Sequence, residues 1–261
     1  MRRINVMLGA LGNEFSREMA YKTNFIIKLI ALMTADFVGP IITAVIYAST
    51  AGVPGWSFEE FLLLQGIFIF VLGIMHFAQI KIASRTIHEV REGTFDKFLT
   101  KPFKPLTYIS LTSWEPEGLG EAFVGLVIMI YTIIVLQINL ISLNFIFFIA
   151  IIALALLFTY SFIVIIAALS FLFVKSFGIF NIFFQVMDMA RYPASIYSYG
   201  MRFFVSFLIP VTVTATVPAI ALIEGYSLNE LLWTAFPVFL FFLVSMGIWT
   251  LAMRKYTSAG G

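Results

Sequence analysis

The sequence predicts an all-α polytopic membrane protein, with six transmembrane helices, an N-terminal interfacial helix and both termini cytoplasmic. Three observations predict it. First, 61% of the 261 residues are hydrophobic and 11% are charged, and the mean hydropathy is +1.00. Soluble domains are about 45–50% apolar and roughly 25% charged, so the surplus apolar surface has to face lipid. Second, long charge-free runs recur. Residues 61–80 hold no charge, 122–174 hold none over 53 positions, 203–223 and 231–253 are also clean, and 29–49 hold only Asp36. A crossing needs about 20 apolar residues. Third, lysine and arginine fall on alternate loops only, as the positive-inside rule requires. This composition excludes a soluble enzyme, a disordered chain and a nucleic-acid-binding domain. A net charge of +2 gives no nucleic-acid signal, and the absence of cysteine excludes disulfides, thiol nucleophiles and thiolate metal sites.

Taken in order, the first element is an amphipathic helix over 1–23. Ile4, Leu8, Leu11, Phe15 and Met19 recur at spacings of three and four, opposite Arg2, Arg3, Asn13, Arg17 and Glu18. Such a helix lies on the inner leaflet; the competing expectation is a loosely bound N-terminus. The first long apolar run starts near Phe25, too late for a cleavable signal peptide. The six spans are expected near 25–49, 61–81, 119–138, 145–173, 200–222 and 231–253. Gln137, Asn139, Ser142 and Asn144 mark the turn that divides the long run. Backbone groups cannot stay unpaired in lipid, so each span is a helix. Unbroken runs argue against a β-barrel.

All 16 lysines and arginines lie before span one, after span two, after span four or in the tail. The loops 50–60, 138–144 and 223–230 hold none and carry Glu59, Glu60, Glu224 and Glu230 instead. Both termini are therefore expected to be cytoplasmic. Tyr47, Trp56, Tyr226 and Trp233 at one end, and Tyr21, Tyr108, Trp114 and Tyr256 at the other, are read as interfacial anchors.

The largest polar feature is the loop over 82–118. A helix over 82–92 should end at Gly93, which tolerates the left-handed conformation of a helix C-terminus. Thr94 is expected to cap a new helix and Asp96 to favour its first turn. Phe95, Phe98 and Leu99 then share one apolar face, and Pro102 and Pro105 stop it. Either a soluble partner grips these aromatic knobs, or the helix packs on the inner leaflet. Residues 176–200 are apolar but interrupted by Asn181, Gln185, Asp188 and Arg191, and are expected to form an interfacial connector.

Little chemistry is encoded. No phosphate-binding loop of the form G-x-x-x-x-G-K-[ST] occurs. His76 and His88 lack an H-E-x-x-H context, and His76 is read as an interfacial polar pair with Gln79. Asp36, about 18 Å up span one at 1.5 Å per residue, is the charge that stands out near mid-membrane and a functional candidate by default. It is expected to be neutral, to bond Thr34 or Thr43, or to pair across a subunit interface. Gly39-Pro40 should kink that helix. Pro210 and Pro218 flank V-T-V-T-A-T-V in span five, which suggests a broken helix whose outer half turns back into the membrane.

With these residues in view, the chain resembles the permease subunits of ATP-binding-cassette (ABC) transporters of the type-2 exporter class. R-E-G-T-F-D-K-F-L-T-K-P at 91–102 is similar to the family's stretch E-x-G-T-L-D-x-L-L-x-K-P. A-R-Y-P at 190–193 and I-P-V-T-V-T-A-T-V-P-A at 209–219 resemble its segments around span five. The resemblance covers nearly the whole chain as a single permease domain over 1–261. It implies a coupling helix built from Gly93, Thr94, Phe95, Asp96, Phe98 and Leu99 that docks on a separate ABC ATPase, two copies of which would serve a permease dimer of the same or a sister chain. It implies that the segment around Pro210 and Pro218 is a re-entrant cap on the pathway; Asp36 is a pathway or gating candidate by its charge, with a structural role as the alternative. No catalytic residue, cofactor or metal is expected in this chain, with ATP and Mg on the partner ATPase. The expected location is the plasma membrane of a prokaryote, and the expected cargo hydrophobic or amphipathic: a drug, a lipid or a glycan-linked compound. A passive channel or scaffold, and an intramembrane lipid-modifying enzyme using Asp36 or His76, are the alternatives.

Overall fold

The computed structural model describes residues 2–173 and 177–256. All regular structure among them is helical. α1 (Arg2–Ala20) leads into α2 (Lys22–Asp36) and α3 (Val38–Ser49). Phe37 separates the last two. The cause lies four residues after Asp36: Pro40 has no N–H to give to the Asp36 carbonyl, and its ring crowds that carbonyl. The expected kink is therefore a break at Asp36.

α4 (Phe58–Met75) passes through a π-helical turn (His76–Ile80) into α5 (Lys81–Arg91). α6 (Asp96–Leu99) and α7 (Pro105–Thr112) follow, then α8 (Gly118–Val135) and α9 (Leu143–Leu169). The turn between α8 and α9 has Gln137 at a φ of 54°, and Ser142 caps α9. α10 (Phe177–Asp188), two 3-10 turns, α11 (Tyr199–Phe203), a π-helical turn (Phe204–Leu208), a 3-10 turn (Val211–Thr214), α12 (Thr216–Ile223) and α13 (Leu228–Lys255) complete the chain. Ser57 with Glu60 and Ser227 with Glu230 form capping boxes at the starts of α4 and α13. Each box satisfies free amides and sets a carboxylate at the positive end of the helix dipole. Glu59, Glu60, Glu224 and Glu230 thus lie at one end of the bundle, the acidic end, and most of the described lysines and arginines at the other, the basic end; Arg191 and Arg202 fall toward the acidic end, which corrects the expected all-or-none asymmetry.

Among the described residues, five helical stretches are long and apolar enough to cross a membrane: Lys22–Ser49, Phe58–Arg91, Gly118–Val135, Leu143–Leu169 and Leu228–Lys255. The central pair is α4 against antiparallel α8. Four glycines let them approach. A Cβ at Gly73 would overlap the Ala122 backbone, one at Gly118 the Phe77 backbone, and one at Gly125 the Phe70 backbone; at Gly66 it would come 2.9 Å from Ile128. Small residues at such a seam replace the hydrophobic effect with close van der Waals packing. α9 packs on α13 through Phe158, Phe162 and Phe241.

The remaining crossing differs from expectation. No single helix covers 200–222, because the chain loses α-helical form from Ile209 to Ala215 around Pro210. Pro218 breaks nothing: it sits in the first turn of α12, where a missing N–H costs no intrahelical bond. Nor is 176–200 a connector lying across the bundle end. α10 and the turn after it run lengthwise along α4. Phe184 meets His76 near the basic end, the Gln65 amide donates to the Arg191 carbonyl at 2.6 Å, and Tyr192 meets Phe61 near the acidic end. The segment from Tyr199 then dips in, reaching Phe236 through Phe207, and α12 leads back to Gly225 beside Asn144. Residues 199–223 form a hairpin entering from the acidic end. The apolar stripe of α1 stays uncovered by protein, with Ile4, Leu8, Phe15 and Met19 exposed.

Candidate functional site

Two regions gather the polar chemistry. The first lies inside the bundle. On α2 and α3, Asp36, Gly39 and Thr43 are the buried residues. They recur on one helical face, so this pair of helices turns a polar stripe inward and an apolar surface outward. Opposite the stripe stand Gln65 of α4 and Arg191 after α10. A cleft of about 420 Å³ opens between them, lined also by Val38, Asp188 and Tyr192. The Arg191 guanidinium lies 4.9 Å from the centre of the Phe68 ring, and its Nε donates to Asp188 at 2.8 Å. Gln65 Oε1 and Asp36 Oδ2 are buried without a hydrogen-bond partner.

Asp36 bonds neither threonine. Thr34 donates to the Ile30 carbonyl at 2.7 Å and Thr43 to the Gly39 carbonyl at 3.0 Å, as hydroxyls inside helices do. The pairing of His76 with Gln79 is also corrected. His76 Nδ1 lies 2.5 Å from Glu121 Oε2 on α8. Gln79 serves α9 instead, donating to the Leu156 carbonyl at 3.0 Å and accepting from Thr159 at 2.8 Å. The π-helical turn at 76–80 aims these two side chains at different neighbours, a use to which such turns are often put. Gln65, Arg191 and Glu121 were not singled out by sequence. Their only signals were a glutamine in a charge-free run, an arginine in A-R-Y-P and a carboxylate at the lip of a span.

The second region is the basic end. Gly93 terminates α5 with a φ of 66°. Thr94 does not cap α6; its hydroxyl donates to the Glu89 carboxylate, which also takes Lys97 Nζ at 2.6 Å. α6 therefore closes back on α5 through a buried acid. Phe95 and Phe98 are 0% and 1% exposed, and so are not knobs on the surface. Phe95 packs edge-on against Phe171 after α9, at 4.8 Å, and against Tyr256 after α13, at 5.4 Å. Phe98 contacts Tyr108 of α7 and lies under the Arg85 guanidinium. Burial and the neighbouring Asp96 carboxylate push the Tyr256 phenol up, so it stays neutral in this clamp. What α6 presents outward is Leu99, 50% exposed, flanked by Lys97, Thr100 and Lys101.

Further ties hold this end. Lys81 reaches Glu14 of α1 at 2.8 Å and the Trp114 carbonyl at 3.0 Å. Lys28 pairs with Glu117 at 3.3 Å. Arg85 donates to the Thr112 carbonyl at 3.1 Å. Among the described residues, no group of three or more His, Cys, Asp or Glu is arranged to hold a metal ion.

No curated protein and no solved structure matches the chain closely enough to be compared with it. The profile of the family described as "ABC-2 family transporter protein" matches residues 29–260. That stretch runs from within α2 through α13, and so takes in both the intramembrane cleft and the α6 tip. The chain belongs to the ABC-2 family of transporter proteins, the membrane-spanning permease components of ABC transporters.

Proposed function

We propose that the chain is the permease subunit of an ATP-driven exporter that works as a dimer beside two ABC ATPase subunits. ATP and Mg would reside on the ATPases. The observation that carries this reading is the mounting of α6. Leu99 and its basic neighbours face outward at the basic end, while Phe95 locks the same short helix onto the ends of α9 and α13. A force applied at that tip is delivered to two long helices through packed rings, and packed side chains transmit displacement because they compress little. The basic end is then cytoplasmic, both termini lie there, and α1 rests its exposed stripe on the inner leaflet. The stretch 177–192 serves as the fifth crossing, and the hairpin 199–223, broken at Pro210, closes the opposite side of the membrane.

The cleft lined by Gly39, Thr43, Gln65 and Arg191, with Asp36 one turn deeper, forms part of the pathway. The unpartnered Gln65 Oε1 in its lining favours cargo that brings a hydrogen-bond donor along with apolar bulk, since a buried acceptor left unmatched costs about 1–3 kcal/mol. Co-purification tests the reading. Expressed with candidate ATPase subunits, the wild type should retain one through mild solubilisation. Leu99→Glu, an exposed change that leaves the fold alone, should lose it. Equal retention by Leu99→Glu, or none by the wild type, would count against the α6 interface.

A further inference from the structure

We propose that a groove between α7 and α13 at the basic end binds the headgroup and upper acyl chains of an anionic phospholipid. The groove has a volume of about 490 Å³, and none of its lining residues lines the intramembrane cleft or belongs to α6. Its rim carries Lys104 and Arg254, both exposed, and no carboxylate lines it. Its floor and wall are apolar: Trp249, Met246 and Met253. Trp249 is 7% exposed and is braced edge-on by Phe171 at 5.5 Å, so the wall is fixed. From Arg254 to Met246 the groove climbs α13 by about 12 Å at 1.5 Å per residue. It thus runs from charged side chains down into apolar depth, in the sequence phosphate, glycerol, acyl chain.

Two further features suit a phosphodiester. The first turn of α7 presents the amides of Leu106 and Thr107, which have no carbonyl to bond within that helix. Thr250 stands about one turn from Arg254 along α13, between Met253 and Met246. Basic pockets between membrane helices recognise anionic lipid headgroups by this combination of paired cations and adjoining apolar wall. A soluble anion would need only the rim, and a neutral lipid only the wall. The groove joins both, which selects one molecule that carries both.

The experiment uses the full chain purified from membranes. Equimolar phosphatidylglycerol and phosphatidylcholine of matched acyl chains are added to the detergent-exchanged protein, and native mass spectrometry reads the bound lipid. Phosphatidylglycerol should exceed phosphatidylcholine by roughly tenfold, because each basic residue near an anionic headgroup contributes a severalfold preference. The Lys104→Ala/Arg254→Ala variant should bind the two lipids alike. Met246→Trp, which fills the groove and leaves both charges, should lose both lipids. Equal binding of the two lipids by the wild type would overturn the proposal, as would an undiminished preference in the charge variant. If the charge variant fails to elute as a monodisperse protein, Met246→Trp decides alone: wild-type phosphatidylglycerol binding there would overturn the site.

Discussion

Phe95 shows how a single side chain ties α6 to the ends of α9 and α13. Its ring is fully buried among Phe98, Phe171 and Tyr256, so Phe95→Ala should cost about 3–5 kcal/mol of stability as a cavity opens, visible as a lower midpoint of thermal unfolding in detergent. Leu99→Glu should leave that midpoint unchanged. A variant pair that divides in this way separates the clamp from the docking surface. At the other region, Asp36→Asn keeps the shape but removes a charge whose burial is costly. Its thermal midpoint should equal or exceed that of the wild type, while ATP-driven export by the assembled transporter should fall at least several-fold. A destabilised Asp36→Asn would show that the carboxylate serves the fold. Asp36 was legible in the sequence because one charge in an apolar run has few innocent explanations. Gln65 and Arg191 were not, since their contact joins residues 126 positions apart and no local pattern announces it.

At the scale of elements, the tight seam between α4 and α8 sets the frame for the cleft. Gly73 faces the Ala122 backbone and Gly125 the Phe70 backbone, so neither neighbour can yield as a flexible side chain would. Gly125→Val should force the helices apart and cost on the order of 1–3 kcal/mol, read by the same thermal melt; Gly178→Val, where nothing stands within 4 Å, is the matched control. Helix existence was legible throughout, because charge-free length and capping chemistry are local properties. Ser57 with Glu60 and Ser227 with Glu230 could have been read as helix starts from the S-x-x-E spacing alone. The course of 176–223 was not legible. Hydropathy counts apolar residues without saying which way a segment runs. Asn181, Gln185 and Asp188 made α10 look too polar to cross; all three are exposed, and it is Phe183 and Met187 that α10 buries against the bundle. Conversely, 203–223 reads as a span by composition, yet Pro210 divides it into two short limbs.

Across the whole molecule, charge asymmetry and helix direction give one arrangement, with α1, α6 and the end of α13 on the basic side. The chain contains no cysteine, so single-cysteine variants report topology without background. In intact cells an impermeant maleimide should label Tyr199→Cys, which is 90% exposed at the acidic end. It should reach Lys97→Cys only after the cells are opened. Labelling of both in intact cells, or of Lys97→Cys alone, would refute the proposed orientation. The central claim is that nucleotide events at the α6 tip change the intramembrane cleft. It is tested most directly in the reconstituted complex with its ATPase, using Val38→Cys, an exposed position on the wall of the cleft. The rate of maleimide labelling at this site should shift severalfold between the ADP state and the ATP–vanadate state, and the shift should vanish with Leu99→Glu. An unchanged rate in an assembled, ATP-hydrolysing complex would contradict the account.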